Sequence, residues 1–425
     1  MKLQKISQTI TPFTGISLVI EEFNKCGLSC LIDKQLGIRS MSGYQYSDII
    51  RGWFSVFFSG GDVAEDINCH LRKSLLDIPC NRVPSADTLL RGIKELSAES
   101  ALIRSTSGKE YQFNINHQMN DLNIKSLLLT KQLKKDGFYD FDYDNQIIEH
   151  EKYDAKRTYK HNTGYFPGVA TIGDKIVYVE NRDGNANVKT SQAETLERAY
   201  KLLNDNKIKI NRSRMDAGSY SEDIVSVVAK NSKLFYIRAN LSDTLTGRIG
   251  EISCGQTVEI NYKKYHLASI PFISFMEEFF FRLVVMREKN TDGQTDLFTG
   301  DDFIYRCILT NDHESTEKEV VEYYNRRGAM EKTFDIQNND FGWNHLPCSD
   351  MNHNTVYLII TAMMKNFYNH FIVIVSKAFE EIPAISRLKK FIFRFITVPG
   401  KWIKQSRQWR LRLYTEKPYE KLCLT

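Results

Sequence analysis

A chain of 425 residues with 42% hydrophobic content is long enough for a sizeable core and for more than one domain. Its formal net charge of +5 permits a polyanionic partner without demanding one. Eight cysteines (Cys26, Cys30, Cys69, Cys80, Cys254, Cys307, Cys348 and Cys423) are scattered with no CxxC pair, which excludes a disulfide scaffold and zinc-finger spacing.

The cysteines read as small buried thiols. The opening Met1–Phe13 has no apolar h-region, so no secretory signal and a cytoplasmic protein are expected. The first hundred residues read as helical. Ile16–Phe23 is amphipathic, Ser47–Phe58 is apolar and ends at Ser59-Gly60-Gly61, and Asp62 is expected to cap a helix reaching about Leu76. Ser85 suits the N-cap of Ala86–Leu96. Thr88, Arg91 and Lys94 around that short helix fit a helix-turn-helix element or an ordinary bundle cap.

From Gly137 the period changes to that of strands. Phe138–Asp144 alternates aromatic and acidic residues, and Gly164–Ile172 and Ile176–Asn181 are joined by a Gly173-Asp174 turn. Helix Ser191–Leu203, strand Ile208–Met215, helix Ser221–Ala229 and strand Leu234–Ala239 follow. The order β-β-β-α-β-α-β is the ribonuclease-H-like order, an α/β fold with a mixed sheet. Glu251–Leu267, Phe279–Arg287 and Phe303–Leu309 read as strands of a β-rich insertion, with a turn-rich loop at Thr291–Asp301. Helix returns at Ser315 and runs through Tyr324–Phe334. Val356–Phe379 is strongly apolar, but Lys365, Asn366, Asn369 and His370 interrupt it, so Tyr357–Ala378 reads as a buried helix rather than a membrane span. The tail from Arg387 to Arg412 carries nine Lys or Arg, no acid, and interleaved Phe391, Phe393, Phe395, Trp402 and Trp409. That mixture suits a phosphate backbone, or a solvated amphipathic end that packs its aromatics on the core.

Asp140, Asp142 and Asp144 share one strand face, and Asp216 ends the fourth strand. In a ribonuclease-H-like sheet the first and fourth strands are neighbours, so two carboxylates meet there. Their repulsion asks for a cation, and magnesium accepts two or three carboxylates and keeps its waters. Glu331 follows Tyr324 and Arg327 at Tyr-x-x-Arg-x-x-x-Glu spacing, which on a continuous helix stacks the three on one face. Arg327 suits a phosphate fork. No Walker GxxxxGK[ST], GxSxG or HExxH is present, which removes an ATP-driven motor, a serine hydrolase elbow and a zinc protease.

Together these residues resemble a known family. Tyr324-Asn-Arg-Arg327-Gly-Ala-Met-Glu331 is similar to the Y-(2)-R-(3)-E signature of IS4-type DDE transposases. Phe141-Asp-Tyr-Asp144, Ala155-Lys-Arg-Thr-Tyr-Lys160 with Gly164-Tyr-Phe-Pro167, Arg182-Asp-Gly-Asn185, Arg214-Met-Asp-Ala-Gly218, and Val398-Pro399 with Leu411-Arg-Leu413 resemble segments of IS1380-type bacterial insertion-sequence transposases. The likeness covers about residues 15 to 415. Two positions depart from it: Asn338 stands where a Lys is expected, and Asn145-Gln146 where relatives often have Ala-Thr.

The resemblance implies a transposase that binds the terminal inverted repeats of its element, cleaves at the ends and joins the 3′-hydroxyls to target DNA. Asp144, Asp216 and Glu331 would bind two Mg²⁺, with Mn²⁺ able to substitute. Tyr324, Arg327, Lys404, Arg407 and Arg410 would contact DNA phosphates. Asp144 is preferred as first ligand by that likeness, with Asp142 the alternative. The implied division is a helical DNA-end-binding or dimerisation domain (1–130), a first core part (131–245), the β-rich insertion (246–312), a second core part (313–380) and a basic tail (381–425). The partners implied are double-stranded DNA and a second copy on DNA, with no membrane. The alternatives are a ribonuclease-H-like nuclease without strand transfer and a catalytically inert DNA-binding relative.

Overall fold

Period-two alternation from Phe138 onward builds the middle of an eleven-stranded mixed sheet. The computed structural model describes residues 1–4, 10–242, 245, 247, 249, 252, 255–272, 275–276, 280–289 and 303–422. Five helices open the chain: α1 (Ile16–Lys25), α2 (Leu28–Leu36), α3 (Tyr46–Phe58), α4 (Arg72–Leu76) and α5 (Ala86–Glu95). A hairpin, β1 (Ser100–Arg104) and β2 (Glu110–Asn114), and helix α6 (His117–Leu129) follow. Next come β3 (Phe138–Asn145), the short β4 (Ile148–Glu149), β5 (Lys156–Arg157) and β6 (Thr163–Tyr165), then β7 (Gly168–Ile172) and β8 (Lys175–Arg182). Helix α7 (Gln192–Asp205), β9 (Lys209–Met215), α8 (Glu222–Asn231) and β10 (Leu234–Ala239) complete this run.

The meander β11 (Gln256–Ile260), β12 (Lys263–Phe272), β13 (Phe281–Lys289) and β14 (Phe303–Thr310) is next. Then come α9 (Glu317–Asn325), α10 (Ala329–Asp340), α11 (Met351–Ala378) and α12 (Leu388–Phe391), and the hairpin β15 (Gly400–Gln405) and β16 (Gln408–Leu413).

The large sheet runs β1-β2-β8-β7-β3-β9-β10-β14-β13-β12-β11. β3 pairs parallel with β9, and β9 with β10; every other neighbour pair is antiparallel. The carboxyl ends of β3, β8, β9 and β10 therefore share one edge. One face of the sheet carries Phe141, Tyr143 and Met215 into a core with Tyr200, Leu203, Ile224 and Val228 of α7 and α8. The helices of residues 16–96, α11 and the aromatics of 391–419 form a second apolar cluster, joined by Ile148, Tyr165, Val169, Ile176 and Val179. Buried residues between 16 and 122, between 330 and 382 and between 388 and 419 thus share one core.

Backbone pairs fasten the two ends of the chain. Thr11 and Gly400 exchange N–H···O bonds of 2.9 and 3.0 Å, Thr14 N–H donates to Val398 O (3.1 Å), and Gly15 N–H to Ile396 O (3.1 Å). A Cβ on Gly15 would stand 2.3 Å from Phe395 O, so only glycine permits the approach.

Several local expectations change. Residues 100–114 form a hairpin that extends the sheet beyond β8, although the alternation around buried Tyr111 and Phe113 is brief. The helix expected from Asp62 to about Leu76 is a π-helical turn, Ile67–Leu71, that runs into α4; no side chain caps either, and Asp66 accepts from Asp62 N–H (2.8 Å) and Val63 N–H (3.2 Å) in the preceding loop. The strand expected over Glu251–Leu267 is two antiparallel strands, reversed at Asn261 and Tyr262, whose φ values are 51° and 65°. Glu251, Phe279 and the loop Thr291–Asp301 lie outside the described residues. Among the described residues only Cys307 and Cys348 are buried thiols; Cys26 is half-buried, Cys30, Cys69 and Cys80 are exposed, and Cys254 and Cys423 lie outside the described residues. Ser85 caps α5 as expected, accepting from Thr88 N–H at 3.4 Å. On α5 the exposed Arg91 and Lys94 alternate with Asp87 and Glu95. Among the described helices, α11 alone is long and apolar enough to cross a membrane, and 78% of its most apolar stretch is buried within the fold.

Candidate active site

Parallel register makes β3 and β9 a charge ladder. Asp140 stands opposite Arg212, and Asp142 opposite Arg214. The first pair is bidentate at 2.9 and 2.7 Å, the second at 2.7 and 2.7 Å. Arg214 also donates to Tyr323 O (2.9 Å), and the Tyr323 ring covers both guanidiniums at 4.1 and 4.6 Å. Asp142 is 3% exposed; burial pushes its carboxyl up and Arg214 opposes the rise. That carboxylate is fully engaged.

One step further the ladder changes sign. The last register pair is Tyr143 with Met215, so Asp144 and Asp216 emerge side by side at the carboxyl ends of adjacent strands. Burial, and then the charge of Asp216, push the Asp144 carboxyl up to about 6. Asp144 Oδ1 accepts from Asn145 N–H (2.8 Å), and Asp216 Oδ1 from Gly218 N–H (3.0 Å). Those bonds fix both carboxylates without neutralising either.

The counter-charge comes from the helices after the β14 strand. Thr316 and Glu319 form a reciprocal cap that starts α9. Val320, Val321 and Tyr324 pack on β10, β13 and β14. The Tyr324 hydroxyl donates to Met215 O (3.2 Å), so this tyrosine is buried and its O–H is spent on the backbone beside Asp216. Arg327 donates to Asp144 Oδ2 (2.8 Å) and to Glu331 Oε1 (3.4 Å). The continuous helix expected from Tyr324 to Glu331 is broken by a tighter turn at Arg326–Gly328. The three side chains therefore do not stack: Tyr324 points inward, Arg327 spans the site, and Glu331 is 66% exposed. Asn338, on α10 beyond Glu331, is half-buried, and its Oδ1 has no partner among the described residues.

A cleft of about 460 Å³ opens beside these groups, lined by Asp216, Arg238, Tyr305, Tyr324 and Arg327 among others. The donor set at its edge is all oxygen, which suits a hard divalent cation. The mutual repulsion of Asp144 and Asp216 fits such a cation. Among the described residues, however, no three His, Cys, Asp or Glu side chains stand together at metal-holding distance. Glu331 is the outlying member, tethered through Arg327.

The basic tail divides. Arg387 is bound to Asp335 (2.6 Å) and Asp340 (2.7 Å), and Arg394 to Glu381 (3.3 Å). Phe391 and Phe395 are buried, whereas Phe393 is 78% exposed. Lys404, Arg407 and Arg410 lie exposed on the β15–β16 hairpin. Lys404 stacks over Trp409 (5.7 Å), and Ser406 and Arg407 form the turn with φ of 51° and 62°.

Sequence reasoning missed Arg212, Arg214 and Tyr323. The signal was available: Asp-x-Asp-x-Asp on β3 matches Arg-x-Arg-x-Asp on β9 at the same period. It also missed Arg238, which lines the cleft and whose guanidinium makes no hydrogen bond or ion pair among the described residues.

The profile of the family described as transposase DDE domain, group 1, matches residues 6–425. No curated protein matches the chain. Among solved structures, the cryo-EM structure of a piggyBac transposase synaptic complex with hairpin DNA is similar at a TM-score of 0.46 and 11% identity. The likeness spans 90% of this chain and 79% of that one. With the profile matching nearly its whole length, the chain belongs to the transposase DDE domain group 1 family.

Proposed function

We propose that this member of the transposase DDE domain group 1 family is of the IS1380 type. It binds the terminal inverted repeats of an insertion sequence, cleaves at the element ends and joins the freed 3′-hydroxyls to target DNA. The observation that carries the reading is the juxtaposition of Asp144 and Asp216 at the ends of β3 and β9, with Arg327 joining Asp144 to Glu331. The order β8-β7-β3-β9-β10, in which only β7 runs opposite to the rest, supports a ribonuclease-H-like core.

Asp144, Asp216 and Glu331 would hold Mg²⁺, as two ions that Mn²⁺ can replace, which would polarise the attacking and leaving oxygens at phosphorus. The chain's own groups do the positioning. Arg327 keeps two carboxylates within reach of each other and presents its remaining donors to the cleft, where a phosphate oxygen accepts them. Tyr324 anchors α9 on Met215 and so sets where Arg327 stands. Lys404, Arg407 and Arg410 bind the DNA backbone along the tail hairpin. The working assembly is a homodimer on DNA, because the two ends of an element must be processed together.

End cleavage with magnesium tests the reading. Asp144→Ala, Asp216→Ala and Glu331→Ala should each lose cleavage and keep end binding. Robust cleavage by Asp216→Ala overturns the assignment. Joining of a pre-cut end to a target plasmid separates a transposase from a nuclease that only cuts.

A further inference from the structure

We propose that the small sheet β4–β6–β5, between Asp144 and Gly168, is a second duplex-DNA contact that grips the phosphate backbone next to the cleaved bond. This rests on the reading of the chain as a DNA transposase.

The segment is built to be rigid. Tyr165 donates its hydroxyl to Asp154 Oδ1, and Asp154 Oδ2 accepts from Met351 N–H at the start of α11 (2.6 Å). The His150 ring lies 4.0 Å from the Tyr165 ring, and Tyr165 bridges to Asp183. A Cβ on Gly184 would stand 2.3 Å from Gly164 O and 2.8 Å from Lys156 O, so that loop is pressed directly against this sheet. Little of this scaffolding is needed merely to cross from β3 to β7.

What it displays outward over residues 153–161 is mainly cationic and aromatic, with the exposed acids Glu149 and Glu151 at and just after β4. Lys156, Arg157, Lys160 and His161 are exposed, with Tyr153 at 91% and Tyr159 at 67%. Elsewhere many surface cations have a carboxylate: Arg212 has Asp140, Arg306 has Glu288, and Arg387 has Asp335 and Asp340. Lys152, Lys156, Arg157 and Lys160 form no ion pair among the described residues. Asp183, whose charge Lys156 feels, is hydrogen-bonded to Gln112 N–H instead (2.8 Å).

The position is also right. β4 begins four residues after Asp144, so the chain cannot carry Ile148 farther than about 14 Å from it. Gly168 pairs with Asn145, which returns the far end of the segment to the same strand end. The patch therefore sits within one turn of duplex, about 34 Å, of a phosphodiester held at Asp144 and Asp216. Lys, Arg and Tyr side chains are the usual donors to phosphate oxygens, and such bonds fix register rather than read sequence.

Binding of the full chain to a mixed-sequence duplex, followed across a salt series, tests this. Neutralising one phosphate-binding cation should reduce the slope of log K against log salt by about 0.9. The triple variant Lys156→Gln/Arg157→Gln/Lys160→Gln should therefore lower the slope by about 2 to 3. Arg157→Gln and Lys160→Gln alone should each lower it by about 0.9, which keeps the test open should the triple variant fold poorly. Wild-type slope in these variants, with a reduced slope in Lys404→Gln/Arg407→Gln/Arg410→Gln, overturns the inference and leaves the transposase reading standing. A wild-type chain with no salt-dependent duplex binding overturns both.

Discussion

Asp142 and Arg214, opposed in register across β3 and β9, share two hydrogen bonds of 2.7 Å with side chains 4% and 9% exposed. A buried pair of this kind contributes little relative to an apolar pair, but removing one member strands a charge. Arg214→Met should cost about 3–5 kcal/mol in urea unfolding. The double variant Asp142→Leu/Arg214→Met should recover most of that loss, and a double variant as unstable as the single refutes the argument.

The Asp144 carboxyl gives a stability change with a definite sign. Its folded pKa is about 6, above the roughly 3.9 of an unfolded aspartate, so the fold holds a proton that the unfolded chain has released. That contribution is complete below about pH 4 and is lost as pH rises through about 6. In chelator-treated protein, Asp144→Asn should remove this loss and gain up to about 3 kcal/mol over wild type at pH 7. Urea midpoints at acid and neutral pH decide it; identical pH profiles for the two proteins would refute the rise that burial and Asp216 impose on the Asp144 carboxyl.

Arg327 touches two of the proposed metal-holding carboxylates through different nitrogens. A lysine carries the charge but not the fork. Arg327→Lys should therefore lower end cleavage on the order of a hundred-fold, as loss of one positioned donor does elsewhere, with duplex affinity nearly unchanged. Cleavage within a few-fold of wild type would show that charge alone suffices.

Lys365 is 1% exposed in α11, with its ammonium donating to Asp174 O, and burial lowers its pKa to about 8. A depressed lysine contributes stability above its unfolded value of about 10.4, and that stability is lost as pH falls through about 8. Wild-type stability should rise between those values relative to Lys365→Met, whose profile should lack this component. Parallel profiles would mean that the ammonium reaches water.

Much of the core was legible because strand alternation is a local signal. Phe138–Asp144, Ile208–Met215 and Leu234–Ala239 lie within a residue or two of β3, β9 and β10. The choice among Asp140, Asp142 and Asp144 was not legible from β3, because all three share a face; the register against Arg212 and Arg214 gives the first two partners. The turn at Arg326–Gly328 was hidden because Arg and Ala are good helix formers and only Gly328 interrupts them. β4, β5 and β6 are two or three residues long, too short to show any period. The packing of residues 16–96 against 346–419 joins segments hundreds of residues apart and leaves no trace in either.

The pairing of Thr11, Thr14 and Gly15 with Gly400, Val398 and Ile396 also sets a schedule for synthesis. A ribosome adding about 5–20 residues per second takes roughly 20–80 seconds to travel between these partners. Throughout that interval Ile16, Val19, Ile20 and Phe23 have emerged without the C-terminal aromatics that complete their cover. The first helices made are thus among the last to be sealed, and the growing chain depends on late residues to hide early ones.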